Sequence, residues 1–442
     1  MKDLTKGKES SLILKFAMPM LLGNVFQQLY NVVDSVVVGN FIGKEALAAV
    51  GSSFPIIFAF LSLIIGIATG STIVIAQYFG AKDIEKVKRT INTLFIFLII
   101  ASITVSIISI YFSEDLFRLL KLPDEIIPQA KIYFNIFMGG ILFSFGFNGI
   151  SAILRGLGDS KTPLYFLIIS TLVNIVLDLL FVLVFKWGIA GVAIATVISQ
   201  CGAFVSAVIY LNRTHKIIRF SIKNLTFDRD IFFKSIRIGL PTGIQQTFVA
   251  VGMMALISIV NRFGTNVIAA YSVATRIDSL ASMPAMNFSA ALSTFVGQNI
   301  GAKKIDRVRS GFLATLKMSS ILSVIVSAVV LIFGDFIVRL FTTDPEVIRI
   351  GKEYLVIVGA FYIVFSSMFV IAGVMRGAGD TLIPMFISLI ALWVIRIPVA
   401  WVLSREIGEA GIWWAIPIGW SVGIILSYIY YKTGNWKKKS VI

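Results

Sequence analysis

Arg155-Gly156-Leu157-Gly158-Asp159 returns 221 residues later as Arg376-Gly377-Ala378-Gly379-Asp380, and this repetition organises the whole chain. Pro163 returns as Pro384 at the same offset. Upstream, Gln77-Tyr78-Phe79-Gly80-Ala81-Lys82 returns as Gln298-Asn299-Ile300-Gly301-Ala302-Lys303, and an Ile, an acid, a base and a Val follow in both copies. Further out, Asn40, Gly43, Ala48 and Ala49 reappear as Asn261, Gly264, Ala269 and Ala270. One offset, half of the 442 residues, holds across separate matches. The chain is one unit written twice. The copies disagree at two positions that matter, since Asp34 faces Ala255 and Asp178 faces Val399.

The repeated unit is a membrane unit. Hydrophobic residues make up 57% of the chain, charged residues 14%, and the mean hydropathy is +0.91. Apolar runs of about 20 residues, each long enough to cross a hydrocarbon core as helix, recur along the chain. Twelve are expected, near 13–39, 48–78, 91–112, 130–153, 163–185, 189–211, 236–260, 267–297, 311–333, 353–374, 383–403 and 410–431. Their continuity argues for helices, because the strands of a membrane barrel alternate apolar and polar residues. The expected fold is an all-α polytopic membrane protein whose twelve transmembrane helices form two parallel six-helix repeats. Six is even, so both copies enter the membrane in the same sense, related by a pseudo-twofold along the membrane normal with a cavity between them. Such parallel repeats are one plan of secondary transporters. The expected organisation is an N-lobe over 1–211, a basic cytoplasmic linker over 212–235 and a C-lobe over 236–442.

A net charge of +16 would suggest nucleic acid in a soluble protein. Here the distribution of the charge explains it. With both termini inside, 26 of the 39 Lys and Arg fall on cytoplasmic segments and 10 on external ones, leaving Arg276, Lys317 and Arg396 within spans. The bias sets orientation by the positive-inside rule, and no nucleic-acid partner is expected. Arg213, Lys216, Arg219, Lys223, Arg229, Lys234 and Arg237 cluster at the junction of the halves. The single cysteine, Cys201, excludes an intramolecular disulfide and a thiolate metal cluster, and the single histidine, His215, falls in the basic linker. The first apolar run is long and lacks a clear small-residue cleavage site, so it reads as a retained helix of a multi-pass inner-membrane protein. No Gly-x-x-x-x-Gly-Lys-Ser/Thr run exists, which removes the sequence case for direct ATP hydrolysis. No acid-rich metal motif suggests a lipid-modifying enzyme, and no enzyme activity or bound cofactor is expected. The Arg-Gly-x-Gly-Asp segments read as tight cytoplasmic turns with the Arg at the headgroups. Pro55, Pro284, Pro398 and Pro417 are positioned to kink their helices.

The first run carries Asn24, Gln27, Gln28, Asn31 and Asp34 amid apolar neighbours. Gln27 and Asp34 share a helix face at two turns, and Asn174 and Asp178 in the fifth run share one at a single turn. A carboxylate inside a bilayer must be protonated, paired or bound to a cation. The first half offers no Lys or Arg well inside a span to pair with these acids. Two carboxylates with amide and hydroxyl neighbours make an oxygen-only donor set, suited to Na⁺ or to protons. In the second half, Arg276 and Asp278 are two residues apart and cannot share a helix face. Each is expected to find an interhelical ion-pair partner. Arg396 is placed to line a cavity, to pair with Asp278 or to hold a backbone carbonyl, and Lys317 to snorkel.

The duplication, the Gln298-Asn299-Ile300-Gly301-Ala302-Lys303 loop, the Arg376-Gly377-Ala378-Gly379-Asp380 loop and the Arg276-Ile277-Asp278…Met283-Pro284 stretch together resemble the multidrug and toxic compound extrusion (MATE) family over essentially the whole chain. The resemblance implies export of amphiphilic, often cationic compounds in exchange for Na⁺ or H⁺ as coupling ion. It places an amino-terminal-lobe cation site on Asp34, Gln27, Asn174, Asp178, Thr196, Tyr133 and Asn148. If sodium is used, Asp34, Asp178, Asn174 and Thr196 would be its ligands. Acids in helices 7 and 10, which serve other members, are missing here. Substrate contacts are expected from Asn31, Gln245, Gln246 and Arg396. The other reading is a flippase for a lipid-linked oligosaccharide or related precursor, which would want several cavity-facing cations. A monomer in the lipid bilayer is the expected state.

Overall fold

The computed structural model describes residues 2–214 and 225–442. His215, Lys216, Arg219 and Lys223, expected in the basic linker, lie outside the described residues. Among the described residues there is no strand. The spans are α1 (Glu9–Ile42), α2 (Lys44–Gly80), α3 (Ile84–Tyr111), α4 (Ile127–Gly139 with Ile141–Gly156), α5 (Lys161–Val184) and α6 (Gly188–Thr214) in the first half. The second half has α7 (Arg229–Phe263), α8 (Thr265–Gly301), α9 (Ile305–Arg339), α10 (Pro345–Gly359 with Tyr362–Gly377), α11 (Leu382–Ile407) and α12 (Glu409–Thr433). Eleven of these are long and apolar enough to cross a membrane, counting each bent pair as one span. The twelfth, α8, equals α2 in length but interrupts its apolar sequence with Arg276 and Asp278. The chain is a multi-pass, twelve-helix membrane protein.

The duplication reaches down to backbone dihedrals. Gly43 and Gly264 take positive φ, as do Lys82 and Lys303, and Gly158 and Gly379, each pair at the 221-residue offset. At Gly158 the tight turn also brings the carbonyl of Lys2 within 2.2 Å of where a Cβ would stand, so both conformation and space require glycine. The turn is closed by Asp159, which accepts from the Lys161 and Thr162 amides and the Thr162 hydroxyl. The expected turns are present, but Arg376 stays inward: its Nε is buried and its guanidinium lies over the Phe369 ring.

Proline does not make the sharp bends. Helices run on through Pro19, Pro55, Pro241, Pro284 and Pro417. The breaks of 49° in α4 and 48° in α10 fall instead at Gly140 and at Ala360–Phe361, again in matching places of the two copies. Pro398 sits in the first turn of an α-helical stretch that follows a π-helical segment.

The chain divides into two compact units, Met1–Lys2 with Pro19–Gly243, and Asp3–Met18 with Ile244–Ile442. In the first, α2 crosses the start of α7 at almost bare backbone. Gly66 and Gly70 face Gly239 and Gly243, and a Cβ on Gly70 would come within 2.3 Å of the Ser235 carbonyl. Paired glycines four residues apart let helices approach closely in lipid, where packing rather than the hydrophobic effect drives association. The second unit centres on aromatic packing, with Trp413 stacked on Tyr271 at 5.6 Å and edge-on to Tyr354 at 5.1 Å.

The residues before α1 are tied into the second unit. Leu4 is buried, its amide donates to Gln298 Oε1 at 2.9 Å and its carbonyl accepts from Asn299 Nδ2 at 3.2 Å. Lys304 donates to the Thr5 carbonyl, and Arg307 donates to the Gly7 carbonyl while pairing with Glu9 at 2.9 Å.

Candidate functional site

Two π-helical turns mark the place where the first unit gathers its polar groups. In α1 the π turn Val38–Ile42 begins four residues after Asp34, and in α5 the π turn Leu180–Val184 begins two residues after Asp178. The turns pack on each other and on α6. Such local widenings leave backbone groups less regularly bonded and recur at functional sites.

Asp34 is 8% exposed, Asn174 1%, Asp178 fully buried and Thr196 2%. Asp34 and Asp178 lie within hydrogen-bond and electrostatic reach of each other, and both act on Tyr133 from α4 and on Tyr30 from α1. Thr196 ties the helices together. Its Oγ1 lies 3.2 Å from the Tyr30 hydroxyl and accepts from Asn174 Nδ2 at 3.5 Å. No Lys or Arg pairs with either acid, and Asp34 Oδ1, Asn174 Oδ1 and both carboxylate oxygens of Asp178 are buried without a hydrogen-bond partner among the described residues. Buried oxygens left in this state are rare and costly. They form an electron-rich pocket built from oxygen alone, able to take a proton or to ligate a hard monovalent cation.

The structure therefore brings together Asp34, Asp178, Asn174, Thr196 and Tyr133. It adds Tyr30, which stands one turn before Asp34 on the same face and was legible by that spacing. Gln27 is exposed and makes no hydrogen bond to the cluster, while Asn148 donates to its own helix at the Ser144 carbonyl. Neither joins the carboxylates. Among the groups expected to touch substrate, Asn31 donates to Gln28, Gln245 donates to Ser388 Oγ at 2.6 Å, and Gln246 is exposed.

The second unit gathers charge differently. Asp278 of α8 has Tyr362 of α10 and Arg396 of α11 as its polar neighbours, and Arg396 closes a third π turn, Ile390–Arg396. Asp278 Oδ1, Tyr362 Oη and Arg396 Nε remain buried without a hydrogen bond. No ion pair within 4.0 Å forms among them, and Arg276 finds none either among the described residues. The expected interhelical ion pairs are thus not closed. Arg396 and Asp278 compensate each other at longer range, and Arg276 stays exposed.

The MatE family profile matches residues 19–180 and again 241–402, once in each half. The chain belongs to the MatE family. Among curated MatE relatives, a probable multidrug resistance protein, YpnP of Bacillus subtilis, is 35% identical over 98% of this chain and 97% of its own length. A probable multidrug resistance protein NorM of Thermotoga maritima is 29% identical over 97% of this chain and 94% of its own. A solved structure described as the outward-facing conformation of a multidrug resistance MATE family transporter superposes with a TM-score of 0.92 at 24% identity. It covers 99% of each chain, which establishes the common MatE fold.

Proposed function

We propose that this protein is a cation-coupled antiporter that exports amphiphilic compounds across the cytoplasmic membrane, with Asp34 and Asp178 as the coupling site. The observation that carries the reading is the set of four buried, unpartnered oxygens on Asp34, Asn174 and Asp178. Two like charges in a low-dielectric pocket repel strongly, so a bound Na⁺ or one or two protons would relieve the pocket. Family membership and the multidrug-resistance names of relatives support the export role. The cytoplasmic charge bias supports termini on the inside, and the protein is taken to act as a monomer.

The coupling ion drives transport only by binding one conformation more tightly than the other. Thr196 of α6 and Asn174 of α5 are bonded to each other beside the acids, while the π turn beside Asp34 is where α1 can yield as the pocket fills. The flippase alternative draws no support from this site, whose charge is anionic. The test is dye efflux from proteoliposomes under an imposed Na⁺ gradient with pH clamped, then under a pH gradient with Na⁺ equal. One of the two should drive efflux, and Asp34→Asn or Asp178→Asn should abolish that drive. Efflux unchanged in both variants would sink the carboxylate mechanism.

A further inference from the structure

The exposed face of α8 is unlike that of a lipid-facing helix. On α9 the exposed residues between 318 and 333 include Ile321, Val324, Ile325, Val329, Ile332 and Phe333, and none is polar. On α8 the exposed residues from 272 to 280 are Ser272, Arg276, Ser279 and Leu280, the three polar ones stepping four and then three residues along one face. Arg276 lies about 18 Å from the Gly264 turn at helical rise, near the middle of a ~30 Å hydrocarbon core. A guanidinium at that depth is tolerated only where water reaches it. This face of α8 therefore borders an aqueous path rather than lipid. At the repeat offset, α2 carries Gly51, Pro55 and Phe58, with no charge among them.

Arg276 also lacks a counter-ion. It makes no hydrogen bond or ion pair among the described residues, and Asp278 points to another face, toward Tyr362 and Arg396. The two serines do not supplement it as donors. Ser272 Oγ donates to the Ile268 carbonyl and Ser279 Oγ to the Thr275 carbonyl, both at 2.8 Å, so they wet the face and leave the guanidinium as its donor. Guanidinium is the side chain best shaped to hold a planar acid group through two parallel bonds.

We infer that Arg276 is an anion-accepting subsite of the transport path, and that the compounds carried include amphiphiles bearing an acid group, carboxylate first. This rests on the export reading for its meaning, but the site itself is tested by binding without any gradient. The probes are a carboxylated rhodamine and its ethyl ester, titrated by fluorescence anisotropy at pH 8 onto the purified full-length chain in a neutral detergent. The wild type should bind the acid dye. Arg276→Gln should weaken that binding about tenfold or more, the scale of one charge-assisted contact, while changing the ester less than twofold. Arg276→Lys should retain most of it. Ser272→Glu, which sets a carboxylate one turn from the guanidinium, should weaken the acid dye alone. The dye titration uses no ion gradient, so loss of acid-dye binding in Arg276→Gln and loss of gradient-driven efflux in Asp34→Asn are separate results. Equal losses for acid and ester in Arg276→Gln, no loss in either, or a wild type that binds only the ester would each overturn the subsite.

Discussion

The two halves keep the same six spans, three positive-φ turns at the repeat offset and the same bent fourth helix, yet they place charge in opposite ways. The first unit buries two carboxylates with no base beside them. The second sets a carboxylate against Arg396 and leaves Arg276 over on an exposed face. Backbone features such as Gly158 and Gly379 answer to chain geometry, which both copies share. Charges answer to what each copy must hold, and those positions have diverged: Asp34 against Ala255, Asp178 against Val399, Arg276 against Pro55. Duplication preserved the scaffold and released the chemistry.

The sharpest way to break this comparison is to neutralise the acids of each unit in turn. Asp34→Asn or Asp178→Asn should lower cation-driven efflux in proteoliposomes on the order of 100-fold, while Asp278→Asn should cost less than about threefold. Equal losses would mean that both units couple. Packing should respond alike in both units. Gly70→Ala and Gly377→Ala each force a Cβ to within 2.4 Å or less of a backbone oxygen. Each should cost roughly 1–3 kcal/mol, read as a lower unfolding temperature in detergent. Gly51→Ala, with nothing within 4 Å of its Cβ, should instead raise stability by up to about 1 kcal/mol through helix propensity.

Tyr133 and Tyr354 stand at the same repeat position, each buried beside its own unit's carboxylate. Tyr133→Phe should weaken the coupling cation about fivefold in equilibrium binding, roughly 1 kcal/mol, and Tyr354→Phe should leave it unchanged. The smallest effect belongs to an acid that is fully partnered. Glu114 accepts from Lys131 at 2.7 Å and from Arg118 at 2.9 Å, and these bonds hold its carboxyl below the usual range. A lowered value means the stability it adds is complete above about pH 5 and disappears as pH falls through the lowered pKa. The gap in unfolding temperature between wild type and Glu114→Gln should therefore be small, constant from pH 7 to about 5, and should close only as pH falls through the lowered pKa.

Much of the fold could be read from the sequence, because twelve apolar runs at one repeat offset leave few alternatives. The helices nonetheless extend past those runs, as in α9, which covers Ile305–Arg339 rather than 311–333. Helix ends that leave the bilayer turn amphipathic and lose the hydropathy signal. The short helix Ser113–Leu119 left no trace for the same reason, and the breaks in α4 and α10 left none because they fall inside unbroken apolar runs. At the site, spacing along a helix reports a shared face but not the neighbour across it. Gln27 shares the Asp34 face yet stands about 10 Å further along the axis, out of reach of the carboxylates, while Tyr30 at about 6 Å is within reach. The π turns cannot be read from residue type at all. The two in the first unit lie where α1, α5 and α6 pack together.

The docked residues ahead of α1 carry a practical consequence for anyone handling the protein. Leu4 fills a closed socket, and the Lys2 amide donates to the Leu157 carbonyl. Trimming the chain to the first turn of α1 would uncover Gln298 and Asn299, and a bulky fusion at this end would have to clear the same crowded ground. Affinity tags and fluorescent reporters belong at the other end, where Lys437, Lys438, Lys439 and Ile442 are exposed.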